Sequence, residues 1–331
     1  MGFKTVVSNR IHESVRSRLA AAGPLVTNDT AAPWDQATLA AHCTDADALM
    51  AFMTEAIDGG FLERCPNLRI IAGALKGYNN FDMAACTERG VLVTNVPDLL
   101  TEPTAELTLG LMIGLARNMA PADRYVRSGE FLGWRPTFYG GSLDGATVGV
   151  IGAGAVGQTV LRMLGGFGCR RLYVDKRPLS PALERDLSAE RSSLETVRAQ
   201  ADFIVLALHL MPETHHLVDA GFLSGIKAGA YLVNPARGSL VDEAAVAAAL
   251  AAGHLTGYAA DTFEMEDWTL DGRPRDIHPA LRDSDKTILT PHIGSAVASV
   301  REAIERSAAE SILAVRDGVV PETAVNPDAW R

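Results

Sequence analysis

Short apolar, β-branched runs alternate along almost the whole chain with stretches whose apolar residues recur at helical spacing. In the first third, the runs at 5–8, 48–53, 68–75 and 91–95 predict strands. The segments between them, at about 11–22, 58–64 and 81–89, predict helices. A long apolar helix is predicted from 101 to 118, and its opening, TEPTAE, puts Pro103 in the first turn among acids, as helix starts favour. A second alternating series predicts strands at 147–151, 171–175, 203–208, 230–234, 257–262 and 287–289, and a closing helix at 297–317. Strand–helix alternation implies parallel sheets joined by right-handed crossovers. The pattern therefore predicts two doubly wound α/β units, one spanning 101–295 and the other discontinuous, made of 1–100 plus 296–331.

A length of 331 residues fits two domains. With 47% hydrophobic and 21% charged residues, the chain is neither a disordered tail, nor a collagen, nor a small disulfide scaffold. The net charge of −10 removes a global basic footprint for nucleic acid but leaves room for a local basic patch around an anion. No apolar run approaches the roughly 20 residues of a membrane span. The opening MGFKTVVSNR lacks the apolar core of a signal peptide. We therefore expect a cytoplasmic protein with no membrane or nucleic-acid partner. Cys43, Cys65, Cys86 and Cys169 form no CxxC pair, so we expect buried free thiols and no metal site.

Candidate chemistry begins in TVGVIGAGAVGQTVLRML, which carries Gly152, Gly154, Ala155, Val156 and Gly157 as a GxGxxG between a strand and an apolar helix. Gly152 permits a tight turn, Gly154 lets the backbone approach a pyrophosphate, and Gly157 lets helix and strand pack closely. Six strands is the count of a dinucleotide-binding sheet built from two halves. Asp175 ends the next strand, where a carboxylate accepts from ribose hydroxyls and disfavours a 2′-phosphate. NAD is the expected cofactor, with weaker use of NADP left open by Lys176 and Arg177.

Three later segments end predicted strands: NPARGSLVDE with Arg237, GYAADTFEMEDW with Asp261 and Glu266, and ILTPHIGS with His292. Ligands of such sheets lie beyond the carboxyl ends of strands. An arginine to grip an anion, a histidine to carry a proton and a glutamate to fix its tautomer make a complete catalytic set.

In order, GAGAVG, Asp175, NPARG, DTFEMED and PHIGS resemble the D-isomer-specific 2-hydroxyacid dehydrogenase family over essentially the whole chain. The resemblance implies a Rossmann NAD-binding domain at 101–295 and a flavodoxin-like substrate domain at 1–100 plus 296–331. In that family the arginine binds substrate, the histidine is the acid/base and the glutamate is its partner. It further implies cofactor contacts from Thr104, Ala207, Leu208, His209, Pro235, Ala236, Asp261 and Gly294. Formate dehydrogenases of the superfamily have glutamine where Glu266 stands, which argues against formate.

A narrower resemblance, carried by GALKGYNNFD, VPDLLTEPTAEL, SGEFLGWRPTFYGGSLDGATVG and GYAADTFEMEDW, is to the phosphite dehydrogenases. In them a lysine at the position of Lys76 contacts the anion, and a second cation suits a compact dianion. The resemblance also implies a closed, partly aromatic pocket from Met53, Leu75, Gly77, Trp134, Tyr139, Trp268 and Ser295. His209 replaces a proline in the loop under the cofactor, which implies an altered contact there. NAD-dependent phosphite oxidation is thus the leading expectation, with His292, Arg237 or a substrate oxygen as proton acceptor. The alternative is a D-2-hydroxyacid dehydrogenase of the glyoxylate–hydroxypyruvate reductase type. A third reading, an NAD-sensing binding protein without turnover, is opposed by the intact Arg237, Glu266 and His292. A homodimer is expected, because 107–119 has little polar surface and the family's corresponding helix meets its two-fold mate.

Overall fold

The structure, a computed structural model, describes residues 2–96, 98–267, 270 and 272–330. It divides into two compact units, one containing Met1–Leu100 and Ala296–Arg331, the other Thr101–Asp267 and Gly272–Ser295.

The first unit holds β1 (Thr5–Val7), β2 (Leu25–Thr27), β3 (Ala48–Ala51), β4 (Ile70–Gly73) and β5 (Leu92–Thr94). They form a parallel sheet in the order β2-β1-β3-β4-β5. A parallel sheet is covered on both faces, so its strands read as unbroken apolar runs. Successive residues serve opposite cores. Val6, Leu49, Ile71 and Val93 pack toward helices Gln36–Cys43, Gly59–Arg64 and Met83–Glu88. Val7, Met50, Ile70 and Leu92 pack toward helices Glu13–Ala20 and Ala298–Arg316.

The second unit holds β6 (Thr147–Ile151), β7 (Arg170–Val174), β8 (Ala189–Arg191), β9 (Phe203–Leu206), β10 (Ala230–Asn234), β11 (Leu255–Ala260) and β12 (Thr287–Leu289). All pair in parallel, in the order β12-β11-β10-β9-β6-β7-β8. The chain starts at β6, runs outward to β8, returns to β9 and runs outward again. This is the Rossmann order with a seventh strand, and its topological switch point lies between β6 and β9. The Ala207 amide donates to the Ile151 carbonyl at 2.7 Å, so the carboxyl ends of those two strands are adjacent.

Some elements were not foreseen, helix Met119–Arg127 among them. The sheet has seven strands rather than six because β8 reads AER, with two exposed charged residues, and pairs on one edge only. Strand β2 is likewise a three-residue edge, and helix Gln36–Cys43 follows an ill-patterned run. Edges of this length carry too few buried positions to leave a periodic signal.

Helix Thr101–Ala116 is largely buried within its own unit, beside helix Ala155–Met163 and strands β10, β11 and β12. Its Leu107, Leu109 and Ile113 stay only partly buried. Exposed apolar side chains gather just beyond it, at Met119, Val126, Phe131, Leu132, Trp134, Phe138 and Tyr139. All four cysteines are buried free thiols. Among the described residues, no helix is long and apolar enough to cross a membrane.

Candidate active site

Seven helices are capped by an Asp or Ser side chain accepting from the third residue of the helix: the caps are Asp35, Asp58, Asp82, Ser180, Ser193, Asp219 and Asp242. Helix Ala155–Met163, like helices Glu13–Ala20, Met119–Arg127, Pro279–Arg282 and Ala298–Arg316, has no side-chain cap; its cap residue is Gly154. A Cβ on Gly154 would meet nothing within 4 Å, so open space faces an uncapped helix N-terminus. That is the arrangement an anionic pyrophosphate requires. Gly152 has φ +100° and its Cβ position lies 2.3 Å from the Ala207 carbonyl oxygen. A Cβ on Gly157 would lie 2.0 Å from the Gly152 oxygen. Only glycine lets the turn and helix pack this closely.

Asp175 follows β7 directly. Its Oδ2 accepts from the Ala153 amide at 2.8 Å and its Oδ1 from the Arg177 amide at 3.0 Å. The carboxylate is thus tied to the glycine loop, where a ribose would lie beside the pyrophosphate. Lys176 pairs with exposed Glu213 at 2.9 Å. These residues fit a dinucleotide: Gly152, Gly154 and Gly157 with the helix N-terminus would hold its phosphates and Asp175 its ribose. Ala207 and Leu208 are half-buried beyond β9, while His209 is exposed.

The second cluster sits beyond β10, β11 and β12 of the same unit. The Arg237 loop is shaped by Asn234, whose Nδ2 donates to the Arg237 carbonyl at 2.8 Å and whose Oδ1 accepts from the Ala236 amide at 3.1 Å. Burial pulls the Arg237 guanidinium below its usual pKa, and the Asp267 and Glu266 carboxylates sustain its charge. Asp267 is buried and accepts from the Ser239 amide at 2.8 Å. A Cβ on Gly238 would lie 1.8 Å from the Phe263 carbonyl carbon, so the Arg237 loop and the Glu266 turn touch backbone to backbone.

His292 has φ +54°, a conformation costly for a non-glycine residue. Asp261 holds it there: its Oδ1 accepts from Thr290 Oγ1 at 2.6 Å and the Ile293 amide at 2.8 Å, and its Oδ2 from the Gly294 amide at 2.8 Å. The Asp261 carbonyl also accepts from the His292 amide at 2.9 Å. Thr104 Oγ1 lies 3.2 Å from the Cβ position of Gly294. The His292 Nδ1 then stands 2.7 Å from Glu266 Oε2, and Glu266 Oε1 accepts from the Phe263 amide at 2.8 Å. Glu266 thereby fixes Nδ1 as the protonated nitrogen and leaves Nε2 for chemistry.

The other expected site residues are placed as follows. Asp261, expected at the cofactor, is 1% exposed, and both of its carboxylate oxygens are bonded to the His292 loop. Leu75 is 1% exposed and its side chain belongs to a hydrophobic core. Trp134 and Tyr139, expected to close a pocket, are 84% and 81% exposed in the single chain, in a segment without helix or strand. Trp268 lies outside the described residues. Ser295 is half-buried at the end of the second unit, and Pro235 is buried behind the Arg237 loop.

In the first unit, Met53 and Gly77 are half-buried in the loops after β3 and β4. Asn80 ties those loops, donating from Nδ2 to the carbonyls of Phe52 at 3.2 Å and Glu55 at 2.7 Å. The Lys76 carbonyl accepts from Asn95 Nδ2 at 2.9 Å. Burial lowers the pKa of the Lys76 ammonium, and Asp98 opposes that shift.

Asn234 and Asp267 were missed from sequence. The available signal was a polar residue closing the apolar strand AYLVN immediately before PARG, where a side chain must shape the turn.

A family model described as "D-isomer specific 2-hydroxyacid dehydrogenase, NAD binding domain" matches residues 109–294. A glyoxylate reductase of Pyrococcus horikoshii is 39% identical over 287 residues, covering 85% of this chain and 83% of its own. A crystal structure of a Thermus thermophilus protein superposes with TM-score 0.88 at 33% identity, covering 97% of this chain and 99% of that one. An NADPH-dependent glyoxylate/hydroxypyruvate reductase of Sinorhizobium meliloti, solved with NADP and malonate, gives TM-score 0.85 at 27% identity, covering 100% and 99%.

These findings correct the expectation of phosphite as substrate. The relatives are named for glyoxylate and hydroxypyruvate. The physical reason is that Lys76 is an unspecific signal: an ammonium attracts a small carboxylate as well as any other compact oxyanion. Residues 109–294 are an NAD-binding domain, and the chain belongs to the D-isomer specific 2-hydroxyacid dehydrogenase family of oxidoreductases.

Proposed function

We propose that the chain interconverts small 2-oxo acids of the glyoxylate and hydroxypyruvate class with the corresponding 2-hydroxy acids, D-configured where C2 is a stereocentre. The observation that carries this reading is the His292–Glu266 pair at 2.7 Å, in one unit with the partly desolvated Arg237. It is supported by the names of relatives matching 85% of the chain.

A bound nicotinamide supplies the hydride for reduction and accepts it in the reverse direction. The Arg237 guanidinium grips the carboxylate or carbonyl oxygen of the substrate, and its low-dielectric setting strengthens that contact. As the C2–H bond forms, the C=O π pair becomes a lone pair on oxygen, and His292 Nε2 gives that oxygen its proton. In the reverse direction Nε2 takes the hydroxyl proton and the Glu266 carboxylate supports the imidazolium. Asp261 keeps the ring in place by fixing the amides that follow it in the loop. In the first unit we assign the substrate-side contacts to Lys76, Gly77 and Met53, and in the second to Ser295.

The test is absorbance of NADH with glyoxylate and hydroxypyruvate, and of NAD with D-glycerate, D-lactate and phosphite, under one set of conditions. Glyoxylate or hydroxypyruvate should give the highest kcat/KM. Faster turnover of phosphite than of every organic acid would overturn the reading.

A further inference from the structure

Glu266 rides on a single 3-10 turn, Glu264–Glu266, which has few bonds of its own. Within it the Glu266 amide donates to the Phe263 carbonyl, and the Phe263 amide donates to the Glu266 side chain. Other anchors come from outside: the Met265 carbonyl accepts from Arg273 Nε at 2.9 Å, and Asp267, next in the chain, accepts from the Ser239 amide. Glu243, first residue of helix Glu243–Ala252, is 5% exposed. Its Oε1 accepts from the Glu264 amide at 3.1 Å and its Oε2 from the His278 amide at 2.8 Å. Its own amide donates to Glu264 Oε1 at 2.9 Å. The two glutamates therefore bond each other's backbones, and one buried carboxylate clamps the turn to a helix end and to the chain at His278. His216 Nε2 flanks the clamp, 3.3 Å from Glu264 Oε2.

A carboxylate in such a place is costly: burial pushes the Glu243 carboxyl up, and Glu264 adds to the shift. Capping the helix does not require it, because Asp242 already accepts from the Ala245 amide at 3.0 Å. What the carboxylate alone provides is a fixed position for the Glu264 amide, two residues before Glu266. We propose that Glu243 is a positioning residue: by clamping the Glu264–Glu266 turn it keeps the Glu266 carboxylate on His292 Nδ1. This rests on the role assigned to Glu266 and His292 above.

The experiment is a double-mutant cycle with an independent spectroscopic arm. Glu243→Gln keeps the shape but turns one acceptor into a donor facing an amide. Alone it should lower kcat for glyoxylate about 10-fold with NADH affinity unchanged; in a Glu266→Gln background it should change kcat by less than about twofold, since both act through one contact. Equal losses in the two backgrounds would overturn the proposal, because a merely structural defect adds. The second arm needs no turnover. The hydrogen-bonded Nδ1 proton of His292, assigned by its loss in His292→Asn, should appear downfield in the proton NMR spectrum and broaden or vanish in Glu243→Gln. An unchanged resonance would overturn the proposal. A parent inactive on all 2-oxo acids that still shows the shifted resonance, lost in Glu243→Gln, would instead refute the substrate reading and uphold the clamp. If Glu243→Gln does not fold, Glu243→Asp, which keeps the charge but is one methylene too short to span both amides, is read in the same way.

Discussion

Replacing Glu266 by glutamine separates the charge of the catalytic pair from its shape. The Glu266 Oε2 lies 2.7 Å from His292 Nδ1, and the two side chains are 28% and 31% exposed. Unit charges about 4 Å apart attract by about 1 kcal/mol in water and about 4 kcal/mol at an effective dielectric constant of about 20; partial exposure places this pair between those limits. Only the imidazolium feels this attraction, so it acts on the proton-transfer step and corresponds to a loss of about 5-fold to several hundred-fold in rate. Glutamine also sets an amide donor against either the Phe263 amide or Nδ1–H, which pushes the loss toward the upper end. The assay is initial-rate NADH consumption at saturating glyoxylate, with NADH affinity measured by fluorescence as the control. We expect kcat to fall in that range while NADH affinity stays within about twofold. A glutamine variant with parental kcat would show that the carboxylate charge does not support the histidine.

Further outcomes follow from other parts of the molecule. Asp175→Ala removes a carboxylate anchored at the glycine loop and leaves Arg177 in place, so kcat/KM with NADP should rise and that with NAD fall; an unchanged ratio would mean that Asp175 is not at the ribose. Lys76→Ala should raise KM for glyoxylate about 10- to 150-fold, the loss of a charge-assisted contact of about 1.5–3 kcal/mol. Because burial lowers its pKa, the Lys76 ammonium discharges before the ordinary lysine range, so parental KM should rise on the alkaline side while that of the alanine variant stays flat. Light scattering should return twice the 35.2 kDa of the chain, and Leu132→Ser with Trp134→Ser should weaken that association; a particle of one chain's mass in the parent would reject the dimer.

The contrast between well-read and misread parts has a consistent origin. Runs such as Phe203–Leu206 and Ala230–Asn234 announced strands because parallel sheets bury both faces. Gly152 and Gly157 announced a turn because no other residue tolerates a carbonyl oxygen at 2.3 and 2.0 Å from its Cβ position. Strands β2 and β8 gave no such notice, since an edge strand of three residues is held by pairing rather than by side-chain burial.

Local chemistry along the chain thus determined the sheet class and the cofactor loop and marked Arg237, Glu266 and His292 as candidates, because each depends on residue type within a few positions. Tertiary structure alone decided that Asp261 turns its carboxylate under the His292 loop, that Leu75 belongs to a core, and that Trp134 and Tyr139 stand exposed. It alone also brought Glu243 to Glu264, 21 positions apart. The physical reason is the same in each case: the direction of a side chain and the partner of a buried polar group are set by packing between segments distant in sequence, and no local pattern encodes that geometry.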